Sequence, residues 1–90
     1  MSSDGSPVAM LEALRARFRA RCENDLRILE QGPDGEAFRY CVHRLAGSAG
    51  TFGFDDISRS AAQIDDLLQR QEMVEPELLD DLIRRVRAIL

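Results

Sequence analysis

The sequence predicts an all-α protein, an antiparallel up-down bundle of four helices. Three observations predict it. Apolar residues recur at three- and four-residue steps in four separate stretches, the spacing that gathers side chains on one face of a helix. No stretch alternates apolar and polar residues as a half-buried strand does. Short connections carrying Gly32-Pro33, Gly53 and Glu75-Pro76 separate the stretches, and short links between helices make neighbours antiparallel.

The first stretch runs from about Val8 to Gln31. Leu11, Leu14, Phe18, Cys22, Leu26 and Leu29 form one stripe, with Arg15, Arg17, Arg19, Arg21 and Arg27 mostly on the other sides. Gly32-Pro33 ends it. The second begins near Asp34, taken as its N-cap, with Glu36 in the first turn where the helix dipole favours an acid. Its stripe is Phe38, Cys41, Val42, Leu45, Ala49 and Phe52, and Gly53 is its stop. The third opens at Asp55 or Asp56, carries Ile57, Ala61, Ile64, Leu67 and Leu68, and fades over residues 69–72. The fourth starts at Glu75-Pro76, since a proline in the first turn lacks an N–H that has no partner there anyway. Leu78, Leu79, Leu82, Ile83, Val86, Ile89 and Leu90 give it a wide apolar face. Residues 1–7 are expected to be a disordered tail and residues 8–90 the helical domain.

Ninety residues suffice for one small core. There is no run of about 18 apolar residues to span a membrane and no signal-peptide layout at Met1–Pro7, so a cytoplasmic location is the default expectation. The polar start at Met1 leads us to expect a free-standing protein; a monomer is the separate expectation, with a dimer through the wide apolar face of the fourth helix as the alternative. Cys22 and Cys41 both fall on apolar stripes without metal-ligand spacing, which suits reduced core thiols. The formal net charge of −4 argues against general nucleic-acid binding. All twelve basic residues are arginine, so chemistry that depends on a lysine amine is excluded.

One residue stands apart from this scaffold. His43 is the only histidine. With about 100° of turn per residue, it lies about 140° from Phe38, away from the centre of the apolar stripe. Arg39 lies about 100°, Gly50 about 120° and Gly47 about 180° from the same origin, so His43 shares an outer face with Arg39, Ala46, Gly47 and Gly50. Glycine in a helix interior costs about 0.5–1 kcal/mol relative to alanine, and this helix carries two before its stop. Close helix packing accounts poorly for Gly47, which faces opposite the stripe, although an early helix end at Gly47 is an alternative. A neutral imidazole is a usable nucleophile near neutral pH, and a bare surface beside it admits a second protein.

The stretch His43-Arg44-Leu45-Ala46-Gly47, with Gly53 ten residues after the histidine, resembles the H-x-L-K-G-x-x-x-x-x-G pattern of histidine-containing phosphotransfer (HPt) domains. The likeness covers nearly all of residues 9–90. It implies a four-helix bundle that is a phosphoryl carrier and not a kinase. It also implies that His43 Nε2 takes a phosphoryl group from an aspartyl phosphate on a receiver domain of a response regulator or hybrid kinase, and passes it to another. The residue equivalent to Gly47 gives the receiver room. No cofactor is implied on this chain, and magnesium in such pairs sits in the receiver's acidic pocket. Family members often place an acidic or amide side chain twenty-two positions after the histidine, where it accepts a hydrogen bond from Nδ1; that position is Asp65, with Asp66 and Gln63 as rivals. One departure stands out. The family lysine is Ala46 here, so the cation beside the phosphate is expected from Arg39, from Arg44, from another helix or from the partner. That same departure leaves open a non-catalytic adaptor of the same fold, which binds a receiver or kinase without phosphotransfer. A hydrolytic or metal enzyme has nothing to be built from, given one histidine and no HExxH.

Overall fold

The computed structural model describes residues 6–90 of the chain. Among them are four α-helices and no strand: α1 (Pro7–Glu30), α2 (Glu36–Ser48), α3 (Asp55–Gln69) and α4 (Pro76–Ala88). A short 3-10 turn, Gly50–Phe52, follows α2. None of the described helices is long and apolar enough to cross a membrane.

The stripes meet in one core. Phe18, Cys22 and Leu29 of α1 pack with Phe38, Cys41, Val42, Leu45 and Ala49, with Ile57, Ala61 and Ile64 of α3, and with Leu82 and Val86 of α4, all buried. Val74, in the link between α3 and α4, closes it. At one end the Phe18 ring centroid lies 5.4 Å from that of Phe52 and 5.3 Å from that of Phe54, in the range where offset rings attract.

Several boundaries differ from the expectations, each for a local reason. Ser6 caps α1, its Oγ accepting from the Ala9 N–H at 3.4 Å, and Pro7 fills the first turn. Of the expected tail, therefore, Ser6 and Pro7 belong to the helix start, while residues 1–5 lie outside the described residues. The N-cap of α2 is Gly35, at φ 93°, rather than Asp34, and no side chain caps it. After Ser48 the chain tightens into the 3-10 turn, and Gly53 ends that turn at φ 88°. A side chain rarely adopts that left-handed conformation. It lets the Phe54 N–H donate back to the Ala49 carbonyl at 2.9 Å and starts the chain into α3.

The upper stripe of α1 departs most. Leu11 and Leu14, expected in the core, are 44% and 38% exposed, and Val8 and Met10 more so. Helix α1 has 24 residues against 13, 15 and 13 in the other three. At 1.5 Å of rise per residue its first turns have no helix beside them.

Polar ties lock α3 to α4. Asp81 accepts from Ser60 Oγ at 3.0 Å and from Arg85 Nε at 2.9 Å. The Arg85 bond holds the Asp81 carboxyl below its ordinary range, helped by the bond from Ser60 and opposed by burial.

Candidate functional site

Helix α2 carries His43 on the flank that faces α3, outside the core stripe. The histidine side chain is 70% exposed. Its Nδ1 lies 3.1 Å from Asp65 Oδ2 and 3.3 Å from Oδ1. An ionised carboxylate can only accept, so in the neutral ring this contact favours the tautomer with its proton on Nδ1 and Nε2 bare. The Asp65 side chain is only 16% exposed, held between the two helices. Its Oδ2 also accepts from Gln69 Nε2 at 3.0 Å, one turn further along α3. Asp65, rather than Asp66 or Gln63, is thus the residue of α3 that reaches the imidazole; Asp66 pairs outward with Arg70.

A shallow groove of about 330 Å³ runs past this contact, lined by Arg39, Tyr40, His43, Asp65, Leu68 and Gln69. Arg39 and Tyr40 stand exposed on its α2 side. Arg39 makes no ion pair among the described residues. Its guanidinium is therefore available to an incoming anion at the mouth of the groove.

The other candidates separate. Gly47 is exposed, and a Cβ built there would meet nothing within 4 Å. No packing among the described residues requires the glycine. Ala46 is half-buried against the core, and its carbonyl accepts from Ser58 Oγ at 2.8 Å. Gly50, expected on the bare outer face, lies instead in the 3-10 turn, where a Cβ would sit 3.5 Å from Ser58 Oγ and 3.6 Å from Asp55 Oδ1. The start of α3 covers that end of the flank. Arg44, expected among the docking residues, turns toward α1. Its guanidinium pairs with Asp25, and only 19% of the side chain is exposed. On the helical wheel Arg44 falls about 120° from Phe38 on the side opposite His43, and α1 occupies that side.

Asp25 and Gln69 were not singled out by the sequence pattern. Asp25 is 1% exposed, the most buried charged residue described. The available signal was its place on the α1 stripe, three residues after Cys22 and four before Leu29. For Gln69 the signal was its spacing of one turn from Asp65. Asp25 also governs the two thiols. Cys22 and Cys41 are buried and free, and the Cys41 thiol donates to the Asp25 carbonyl at 3.9 Å. Burial first, then the Asp25 charge, pushes the Cys22 thiol up to about 11 and the Cys41 thiol up to about 12. Both stay protonated and unreactive near neutral pH.

The site is thus an exposed imidazole on a helical bundle with its Nδ1 engaged by a carboxylate. A family model of the Hpt domain matches residues 11–90. The chain belongs to the Hpt domain family, whose members are phosphocarriers rather than kinases and interact with receiver domains in phosphorelays. No curated protein and no solved structure matches the sequence.

Proposed function

We propose that this protein is a phosphorelay intermediate in two-component signalling and that His43 carries the phosphoryl group. The observation that supports this most is the exposed His43 ring with Nδ1 held 3.1 Å from Asp65. With the proton on Nδ1, the Nε2 lone pair points to solvent and attacks the phosphorus of an aspartyl phosphate on a receiver domain. The N–P bond forms as the acyl-phosphate P–O bond breaks, and the receiver's aspartate leaves as its carboxylate. The ring gains positive charge, which the Asp65 carboxylate stabilises through the Nδ1–H hydrogen bond. A second receiver's aspartate reverses the step. Magnesium belongs to the receiver, and no step on this chain calls for a cofactor.

Arg39 is the cation we assign to the phosphate in place of the family lysine, because it is exposed on the His43 groove and free of ion pairs among the described residues. Gly47 is the clearance for the receiver. Arg44 acts from inside, by tying α2 to α1. The antiparallel up-down arrangement is the architecture we infer. Asp25 reaches Arg44 while Arg15 lies over Phe54. Likewise His43 reaches Asp65 while Ala46 reaches Ser58, and Ser60 reaches Asp81 while Asp56 reaches Arg85. In each pair the numbers run in opposite senses.

The test is transfer from a phosphorylated receiver. Wild type should acquire an acid-labile, alkali-stable label, and His43→Gln should acquire none. Gly47→Gln should stay helical, since glutamine is the better helix former, yet lose transfer through bulk. Equal labelling of His43→Gln and wild type contradicts the proposal. Because Ala46 replaces a cation, a non-transferring adaptor is the second reading; receiver binding that survives His43→Ala, with no label on wild type, supports it.

A further inference from the structure

We propose that Gln69 is a positioning residue for His43, acting through Asp65 to hold the imidazole in the tautomer with Nε2 bare. The proposal rests on the reading of His43 as the phosphoryl acceptor. Three atoms carry it. Asp65 Oδ2 accepts from His43 Nδ1 at 3.1 Å and from Gln69 Nε2 at 3.0 Å. An aspartate carboxylate on a helix surface can rotate about two side-chain bonds, and water competes for each oxygen. A donor one turn away on the same helix fixes the same oxygen that meets the ring. The carboxylate plane is then set before the imidazole arrives.

The tautomer matters because free imidazole prefers the proton on Nε2, the nitrogen that must be bare to attack. Asp65 opposes that preference only while an oxygen stays in line with Nδ1. Gln69 is the last residue of α3. Its reach to Asp65 therefore depends on the helix running through that final turn, which closes with the Arg70 N–H donating to the Asp66 carbonyl at 3.1 Å and the Glu72 N–H to the Leu67 carbonyl at 2.8 Å. No other described side chain donates to Asp65 besides His43. What position 69 supplies is an N–H donor, so glutamate there, with the same shape but no donor, should act in the opposite direction by repelling Asp65.

The experiment reads the ring nitrogens by 15N NMR on the full chain at alkaline pH. Wild type should show His43 mainly as the Nδ1–H tautomer. Gln69→Leu and Gln69→Glu should shift the population toward Nε2–H, with Asp65→Ala giving the largest shift. Gln69→Arg, which restores a donor, should return to the wild-type spectrum. Transfer rates should fall about three- to tenfold in the first two variants, the effect of losing one partly solvated charge-assisted hydrogen bond. Circular dichroism should stay unchanged, so that a fold defect is separated from loss of positioning. A wild-type tautomer ratio in both Gln69→Leu and Gln69→Glu overturns the proposal, whatever the rates. A shifted ratio with no label on wild type from any receiver leaves Gln69 positioning the ring and sinks the phosphoryl-acceptor reading instead.

Discussion

His43 and Arg44 are neighbours in sequence with opposite fates, and the reason lies in 100° of helical turn. His43 faces the α2–α3 groove and is mostly exposed. Arg44 faces α1 and spends its charge on Asp25. The wheel places both off the apolar stripe, but it does not say which flank another helix covers. Asp25 was hidden for a related reason: an acid within an apolar stripe looks like an interruption until its arginine is known. Asp25 Oδ2 and Arg44 Nη1 have no partner among the described residues, so the pair is only partly compensated for leaving water. Breaking it from one side should therefore be costly, and replacing both sides should not. Asp25→Ala should lower stability by about 3 kcal/mol, while Asp25→Leu with Arg44→Met should lie within about 1 kcal/mol of wild type or above it. Urea unfolding of the three proteins measures this. A single variant as stable as wild type contradicts the account of the pair.

Among the elements, α1 shows where periodicity stops being informative. Its stripe is continuous from Leu11 to Leu29 in the sequence, yet only the part from Phe18 onward is buried. Periodicity reports which face of a helix is apolar, not how far its neighbours extend along it. The starts of α3 and α4 were legible because Asp55, Asp56 and Glu75-Pro76 are local signals. Gly53 was legible as a stop, but α2 itself ends at Ser48, and the 3-10 turn between them, which moves Gly50 against Ser58 and Asp55, was not legible. It follows that the two halves of the α1 stripe should respond differently to substitution. Phe18→Ala should cost about 3–5 kcal/mol, whereas Leu11→Gln should change stability by about 0.5 kcal/mol or less. Thermal unfolding distinguishes them; equal losses from the two would contradict the exposure of the first turns.

At the scale of the whole molecule, four stripes and three breaking connections were enough to read an all-helical fold. The His43–Asp65 contact was not readable from the stripes, because it joins two helices across twenty-two residues. It came from the family likeness, and the folded chain then brought Gln69 to the same carboxylate. The closed core also sets a dependence on pH. Burial keeps Cys22 and Cys41 protonated up to about 11 and about 12, while thiols of an unfolded chain ionise near pH ~8.5. Above that point the unfolded state has released protons that the folded state still binds, so stability falls as pH rises. The slope should approach about 1.4 kcal/mol per pH unit for each thiol. Urea midpoints should drop steadily between about pH 9 and pH 11. In a Cys22→Ala, Cys41→Ala variant, less stable at neutral pH, that slope should vanish. A wild-type midpoint that stays flat across the interval contradicts the burial of the thiols.

The central claim is chemical: a phosphoryl group arrives at one nitrogen of one ring. Heteronuclear NMR of the 15N-labelled protein, taken after transfer from a phosphorylated receiver, reads the N–P bond directly. The account predicts 31P coupling to Nε2 of His43, with Nδ1 still protonated and hydrogen-bonded to Asp65. Phosphorus on Nδ1, or a phosphorylated protein whose His43 nitrogens show no coupling, would contradict it.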